Sequence, residues 1–154
     1  MPLTEVARSP LLATMLQWWQ ARCRDKGCLI GRKAIDPLDL PRQAFSHLSL
    51  LEFVNAPSFR MRVVLAGEGV CALFGRNLKG AIVDELYRAE DYEVALADIG
   101  GMVATREPVA VYREVVSPDD RLITYFLLML PLASDGTTVD GIVSTLDWKI
   151  TPRI

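Results

Sequence analysis

The segment 122–133 is the most apolar stretch of the chain, and it is apolar on both of its alternating faces. Its two sets are Phe126, Leu128 and Leu130 against Ile123, Leu127 and Met129. An antiparallel strand with one wet face would alternate with polar residues instead. At about 12 residues the segment is also shorter than the roughly 20 that a helix needs to span a bilayer. We therefore expect a strand buried on both faces, with short helices over one face and an N-terminal helix or a second subunit over the other.

Four other segments have the composition or the period of strands. They are Leu48–Val54, 59–65, Val109–Val116 and 139–148. In the second of them, a period of two places Phe59, Met61, Val63 and Leu65 on one face. Turn formers separate the segments at 55–58, 117–120 and 134–136, and the first of these turns predicts an antiparallel hairpin.

Ser9 and Pro10 are a start signal for a first helix, because a serine side chain caps orphan amides and proline suits the first helical position. Apolar residues then recur at intervals of three and four, and Gly27 suits the C-terminal cap. The stripe consists of Leu12, Met15, Leu16, Trp19 and Cys23. After a proline-bounded connector at 35–41, the pattern predicts helices at 67–75, 80–87 and 91–105.

The length of 154 residues suits one domain, with no room for an attached output module. A net charge of −2 offers no basic stripe for a phosphate backbone, so nucleic-acid binding is not expected. The odd cysteine count and the absence of a secretory signal predict a cytoplasmic protein with free thiols and no membrane insertion. We divide the chain into an N-terminal helix and connector at 1–47, as a cap or dimerisation element, and a core at 48–154.

Several segments, in order along the chain, resemble a single-domain PAS-like family common in alphaproteobacteria. The matching pieces are Trp18-Trp19 with Arg22, residues 35–41, residues 47–52, residues 60–67, residues 74–80, Leu130-Pro131-Leu132 and Val139-Asp140-Gly141-Ile142. The resemblance implies an α+β fold of the PAS superfamily: a five-stranded antiparallel sheet, short helices on one face and an N-terminal amphipathic helix. It also implies a signalling role, in which any ligand sits between the sheet and the short helices.

Two glycine motifs invite a cofactor interpretation. Gly67-Glu68-Gly69-Val70-Cys71-Ala72 fits the dinucleotide pattern, but no parallel strand with an acidic ribose ligand follows it, so we interpret it as a structural turn. Gly75-Arg76-Asn77-Leu78 resembles the motif of light-sensing PAS domains, in which a cysteine takes the last position and bonds photoexcited flavin. Leu78 has no thiol, which excludes flavin–thiol photochemistry at that position, and the cofactor, if one exists, stays unknown.

His47 is the single histidine, so every histidine-dependent mechanism would pass through it. Haem-binding PAS domains generally take a histidine from the long helix before the third strand, and 91–105 contains none, which argues against haem. No nucleophile, base and orienting group can be assembled, and the carboxylate pairs suit helix starts and turns. We expect a protein that is not an enzyme and has no metal site, with a small enzyme on a PAS-like scaffold as the alternative.

Two sets of residues are candidates for function. An apolar ligand pocket, with ordinary core packing as the alternative, is predicted at Phe74, Leu78, Ile82, Leu96, Ile99, Val103, Phe126 and Leu128. A protein interface is predicted at Leu12, Met15, Leu16, Trp18, Trp19, Ile123, Leu127 and Met129. The sequence thus predicts a bacterial sensory domain that acts through an apolar small molecule, as a homodimer, or on an unidentified signalling protein. A ligand-free adapter is the alternative.

Overall fold

A computed structural model describes residues 3–55, 58–116 and 121–152. Within these ranges the helices are α1 (Pro10–Lys26), α2 (Glu68–Phe74) and α3 (Ala89–Thr105), and the strands are β1 (Leu48–Val54), β2 (Arg60–Ala66), β3 (Val109–Val116), β4 (Arg121–Leu132) and β5 (Gly141–Pro152). Short 3₁₀ helices lie at Leu3–Arg8, Arg32–Ala34, Arg42–His47 and Val83–Glu85. The predicted α+β fold with an N-terminal helix is confirmed. The predicted turns at 55–58 and 117–120 fall partly or wholly outside the described residues.

The five strands form one antiparallel sheet in the order β2-β1-β5-β4-β3. β1 and β2 form the predicted hairpin, with Phe53 opposite Met61. β5 lies at the centre of the sheet, where it pairs with β1 on one side and along all of β4 on the other. This order leaves β2 and β3 as the edge strands and places β4 beside the centre.

The sheet is covered on both faces by the chain itself. We call the face under α1 the outer face, and its outer core contains Val6, Leu12, Met15, Trp19, Ile30, Leu40, Ala44, Leu48, Leu50, Ala110, Leu128, Leu130, Leu132 and Val143. We call the opposite face the inner face, and its inner core contains Met61, Val63, Val70, Leu78, Val83, Ile99, Met102, Met129, Val139 and Ile142. The N-terminal helix, one of the two predicted alternatives, therefore covers the outer face.

Helix α1 begins and ends where the sequence predicts. The Ser9 hydroxyl accepts a hydrogen bond from the Leu12 amide at 3.3 Å, and Gly27 closes the helix in the left-handed region at φ 80°. Leu12 and Met15 are fully buried against the sheet. Burial of two such side chains contributes about 1.5–3 kcal/mol each, which exceeds what the caps alone supply.

A β-bulge changes the predicted face of one β2 residue. Leu50 lies opposite Leu65, but Leu51 lies opposite Val63, so Val64 is an extra residue in β2. An inserted residue reverses the alternation beyond it. Met61 and Val63 are buried as predicted, whereas Leu65 is 41% exposed, so the prediction that it shares their face was wrong.

The predicted helix at 80–87 is reduced to the single 3₁₀ turn Val83–Glu85. The amide of Val63 donates to the carbonyl of Ala81 at 2.9 Å, and Ile82 forms a bridge with Arg62. These backbone hydrogen bonds to β2 hold the start of the segment in an extended form. Pairing with the sheet edge has therefore overridden the helical pattern.

We expect Gly67→Ala to destabilise the fold by about 2–3 kcal/mol, because a Cβ atom there would overlap the carbonyl oxygen of Phe45. The matched control is Gly100→Ala in the middle of α3, where a Cβ would meet no atom within 4 Å. That control should stabilise the protein by about 0.5–1 kcal/mol. Urea unfolding followed by circular dichroism measures both, and equal effects of the two substitutions would contradict the packing described for Gly67.

Candidate functional site

The inner core brings together four of the predicted pocket residues. Leu78 and Ile99 are buried in it, and Phe74 and Leu96 pack against it half-buried. Val103 is 39% exposed and does not belong, because the buried stripe of α3 continues from Ile99 to Met102 instead. Spacings of three and of four are both compatible with a helical stripe, and the sequence alone does not choose between them. Ile82 is half-buried at its bridge to β2.

The two alternating sets of β4 are on the opposite faces from those predicted. Phe126 and Leu128, predicted for the pocket under the short helices, belong to the outer core beneath α1. Leu127 and Met129, predicted for an interface, lie in the inner core, and Ile123 shares their face by strand alternation. The predicted assignment of these residues to the two faces of β4 was therefore wrong. A period of two separates the two faces of a strand, but it does not show which helices cover each face.

Both tryptophans of α1 have partners within the chain. Trp19 is buried, and its indole donates to the carbonyl of Pro131 at 3.1 Å. The indole of Trp18 donates to the carbonyl of Asp39 at 3.0 Å, and the Arg22 guanidinium lies 5.5 Å from the centre of its ring. Leu16 is half-buried beside the outer core. Leu12, Met15 and Trp19 therefore do not form an exposed interface, since they are buried against the sheet of the same chain.

The inner core also contains groups that the sequence did not single out. Met61, Met102 and Met129 are all buried there, and methionine is the apolar side chain that adapts its shape most easily. The Tyr92 hydroxyl is buried and has no hydrogen-bond partner among the described residues. Burial raises the pKa of Tyr92, and nearby Asp84 raises it further while Arg60 lowers it. The layer where the resemblance implies a ligand thus holds adaptable side chains and one unsatisfied donor.

An ion pair lies near Tyr92. Arg60 of β2 donates to both carboxylate oxygens of Asp84, at 2.8 and 2.6 Å. The hydrogen bond from Arg60 holds the pKa of Asp84 below its usual value. This paired contact connects the 3₁₀ turn Val83–Glu85 to the edge strand and fixes one border of the inner layer.

On the outer face, α1 and the 3₁₀ helix Leu3–Arg8 leave part of the sheet uncovered. A groove of about 690 Å³ remains there, lined by Glu5, Arg8, Tyr112, Thr124, Phe126, Asp147, Trp148 and Lys149. Tyr112 is 45% exposed, and its ring lies 4.9 Å from that of Phe126. The groove therefore combines exposed aromatic surface with two acidic and two basic side chains, and we call it the outer groove.

Ser9 connects the start of α1 to the outer groove. Its hydroxyl donates to the carboxylate of Asp147 at 2.6 Å while it also caps the helix. Ser9 is buried, so water competes little for this hydrogen bond. The position of α1 on the sheet is therefore coupled to a side chain of the groove.

The remaining motif residues have structural roles. A carbonyl oxygen can only accept, so Nδ1 of His47 donates to the Leu146 carbonyl at 2.8 Å, and the imidazole lies 4.6 Å from the Trp148 ring. In the dinucleotide-like motif, a Cβ at Gly69 would approach the Ser46 carbonyl to 2.7 Å, so that glycine permits close packing of α2. Across the described ranges, no group of three or more His, Cys, Asp or Glu side chains could hold a metal ion. None of the helices in these ranges is both long and apolar enough to cross a membrane.

The sequence of the chain matches the PAS domain family model over residues 7–146. The match covers most of the chain and agrees with the sheet order and the helices over the inner face, so the protein belongs to the PAS domain family. No protein with curated annotation matches the sequence.

Three solved structures share the fold at low sequence identity. The Rhodobacter sphaeroides LOV protein has a TM-score of 0.51 and 18% identity over 70% of this chain and 63% of its own, so the chain spans less than two thirds of that relative. A PAS domain from Colwellia psychrerythraea has a TM-score of 0.53 and 14% identity over 73% of this chain and 96% of its own. A light-oxygen-voltage domain has a TM-score of 0.52 and 13% identity over 77% and 88%. At these identities the likeness shows the fold alone.

We expect Ser9→Ala to lower the free energy of unfolding by about 1–2 kcal/mol, because it removes the helix cap and leaves Asp147 without this donor. Gln17→Ala, on the exposed side of the same helix, is the matched control and should change it by less than about 0.5 kcal/mol. Urea unfolding measures the difference. A Ser9→Ala protein as stable as the control would contradict the coupling of α1 to the groove.

Proposed function

We propose that the protein is a PAS signalling domain that acts without catalysis, as a homodimer formed through the outer groove. The observation that carries this proposal is the groove itself, in which an exposed Tyr112 and a half-buried Phe126 lie uncovered beside α1. Aromatic side chains are enriched in the centres of protein interfaces. The occupant we propose is a second copy of the chain.

The charges of the outer groove suit a twofold partner. Glu5 and Asp147 are acidic and Arg8 and Lys149 are basic, all on one lining. In a twofold dimer the same patch faces itself, so it must carry groups of both signs to be complementary. A partner of one dominant charge would leave half of these groups facing a like charge.

The edge of the sheet supports the same location. Within the described residues β3 pairs with β4 alone, so the other side of its backbone is free to contact a partner. An edge strand of eight residues is a common site of association between chains. Tyr112 belongs to β3, so the free edge and the outer groove are continuous.

The signal would be carried by the position of α1. The Ser9 hydrogen bond to Asp147 links this helix to the groove, so a shift of α1 changes the surface that the second copy contacts. A signal can shift the equilibrium between two conformations only if the two conformations make different contacts. Two positions of α1 would differ in their contacts at the dimer surface. We place this activity in the cytoplasm, because three free cysteines without a disulfide framework are typical of a reducing compartment, and an unidentified signalling protein would read the change.

A second function rests on Tyr92. Its buried hydroxyl lacks a partner in the described part of the chain, and a buried donor that makes no hydrogen bond costs about 1–3 kcal/mol. A small apolar molecule with one acceptor atom would satisfy it, and the three methionines of the inner core could move to admit the molecule. This is sensing between the sheet and the short helices.

The dimer is tested by sedimentation equilibrium of the wild type and of Tyr112→Glu. We expect a wild-type dimer and at least an approximately tenfold weaker association of the variant, because a charge replaces an exposed aromatic ring at the interface. Val94→Glu is the matched control, since Val94 is 49% exposed on α3 and lies away from the outer face. It should associate like the wild type. A wild type that is monomeric at every concentration would refute the proposal.

The second function is tested by native mass spectrometry of freshly purified protein together with its absorbance spectrum. We expect an apolar molecule retained from the host to add mass, and Tyr92→Phe to weaken its binding about threefold to tenfold through the lost hydrogen bond. Since Leu78 has no thiol, we expect no light-induced thiol adduct even if flavin is added. Protein that shows neither extra mass nor visible absorbance would refute this second function.

A further inference from the structure

A second groove, of about 780 Å³, lies at the C-terminal end of α1, and two cysteines line it. Cys23 belongs to the last turns of α1 and is half-buried, whereas Cys28 is exposed just beyond the end of the helix. Arg24 and Arg106 line the same groove. This groove lies at the other end of α1 from Ser9.

The end of the helix explains why the two cysteines line one groove. Gly27 adopts the left-handed conformation, and its amide donates to the Cys23 carbonyl at 2.8 Å. A cap of this kind reverses the chain, and the residue after the glycine folds back over the last turn, where contact with the side chain four or five residues earlier is frequent. The five-residue spacing from Cys23 to Cys28, with Gly27 between them, accordingly places both cysteines on the lining of the same groove.

The electrostatics agree that Cys28 lies close enough to Cys23 to affect the Cys23 thiol. Burial raises the pKa of the Cys23 thiol, the Ile30 amide lowers it by a hydrogen bond, and the nearby Cys28 raises it. Cys28 is exposed whereas Cys23 is half-buried, so Cys28 is the more accessible of the two thiols.

The position of Cys28 is held by the turn between β4 and β5. A Cβ at Gly136 would lie 2.9 Å from the Cys28 sulfur, so this sulfur packs directly against the glycine backbone. The amide of Leu29 also donates to the Gly136 carbonyl at 3.2 Å. These contacts orient Cys28 beside α1 instead of leaving it free in solution.

We propose that Cys23 and Cys28 are a redox-active dithiol that reacts with small anionic disulfides such as oxidised glutathione. The Cys28 thiolate attacks one sulfur of the disulfide, which forms a mixed disulfide and releases one thiol. Cys23 then loses its proton and attacks the Cys28 sulfur, which releases the second thiol and closes the Cys23–Cys28 bond. Two protein thiols are oxidised and one small disulfide is reduced to two thiols, so electrons and protons balance.

The arginines specify the charge of the oxidant. Arg24 and Arg106 are both permanently cationic and lie on the lining of the groove beside the cysteines. A groove with cationic walls concentrates anionic reactants and speeds their association. Cys71 does not line this groove. It is half-buried in α2, and its sulfur lies 3.9 Å from the Ala66 carbonyl.

The test equilibrates the folded protein in glutathione buffers, quenches with acid, alkylates the remaining thiols and locates the products by peptide mass mapping. In these buffers the wild type and Cys71→Ser should each form the Cys23–Cys28 disulfide, and this product should carry no bound glutathione. Cys23→Ser should instead retain one glutathione on Cys28, and Cys28→Ser should form neither product. A wild type that stops at glutathionylated Cys28, or that reacts equally at Cys71, would overturn the proposal.

The charge preference has its own test. The double substitution Arg24→Gln with Arg106→Gln should slow oxidation by oxidised glutathione about tenfold and leave oxidation by neutral hydroxyethyl disulfide unchanged. If the double substitution slowed oxidation by both reagents equally, or slowed oxidation by neither, the assignment of an anionic oxidant would be overturned. The dimer measurement with Tyr112→Glu is independent of these reactions, so the two proposals can fail separately.

Discussion

The second half of strand β4, from Leu128 to Leu132, is buried on both faces, and this burial accounts for the layered arrangement of the domain. Leu128 and Leu130 are fully buried under α1, and Met129 is buried under the helices of the inner face. Each such side chain contributes about 1.5–3 kcal/mol when it is buried. If either layer of helices were removed, several of these side chains would be exposed at once. The burial free energy lost would be a large part of the free energy of unfolding of a typical domain. Helix α1 is therefore a part of the folded domain and not an appendage.

The same helix joins the two surfaces for which a function is proposed. The outer groove adjoins its N-terminal end through Ser9 and Asp147, and the dithiol lies at its C-terminal end with Cys23. With 17 residues, α1 is about 25 Å long and behaves as a rigid connection between them. Oxidation at one end could thus bias the dimer surface at the other, because both ends are attached to the central strands.

Much of the architecture could be predicted because the signals are local. The caps at Ser9 and Gly27 and the alternation along β4 depend on neighbouring residues, and the structure has them at the predicted positions. The errors arise where distant backbone intervenes. The bulge at Val64 turned Leu65 outward, and pairing with β2 kept most of 80–87 from becoming helix. Neither effect can be detected in the apolar periodicity of a single segment.

The sequence by itself determined that β4 has two apolar faces, that a capped amphipathic helix precedes the sheet, and that no thiol stands at Leu78. Only the tertiary structure decided which face α1 covers, and so whether Phe126 or Leu127 adjoins the inner helices. The physical reason is that alternation is a property of one strand, whereas the choice of cover depends on how distant segments share the burial of apolar surface. The placement of Cys23 and Cys28 on one groove combines both: a local cap reverses the chain, and Gly136, more than a hundred residues later, packs against the Cys28 sulfur.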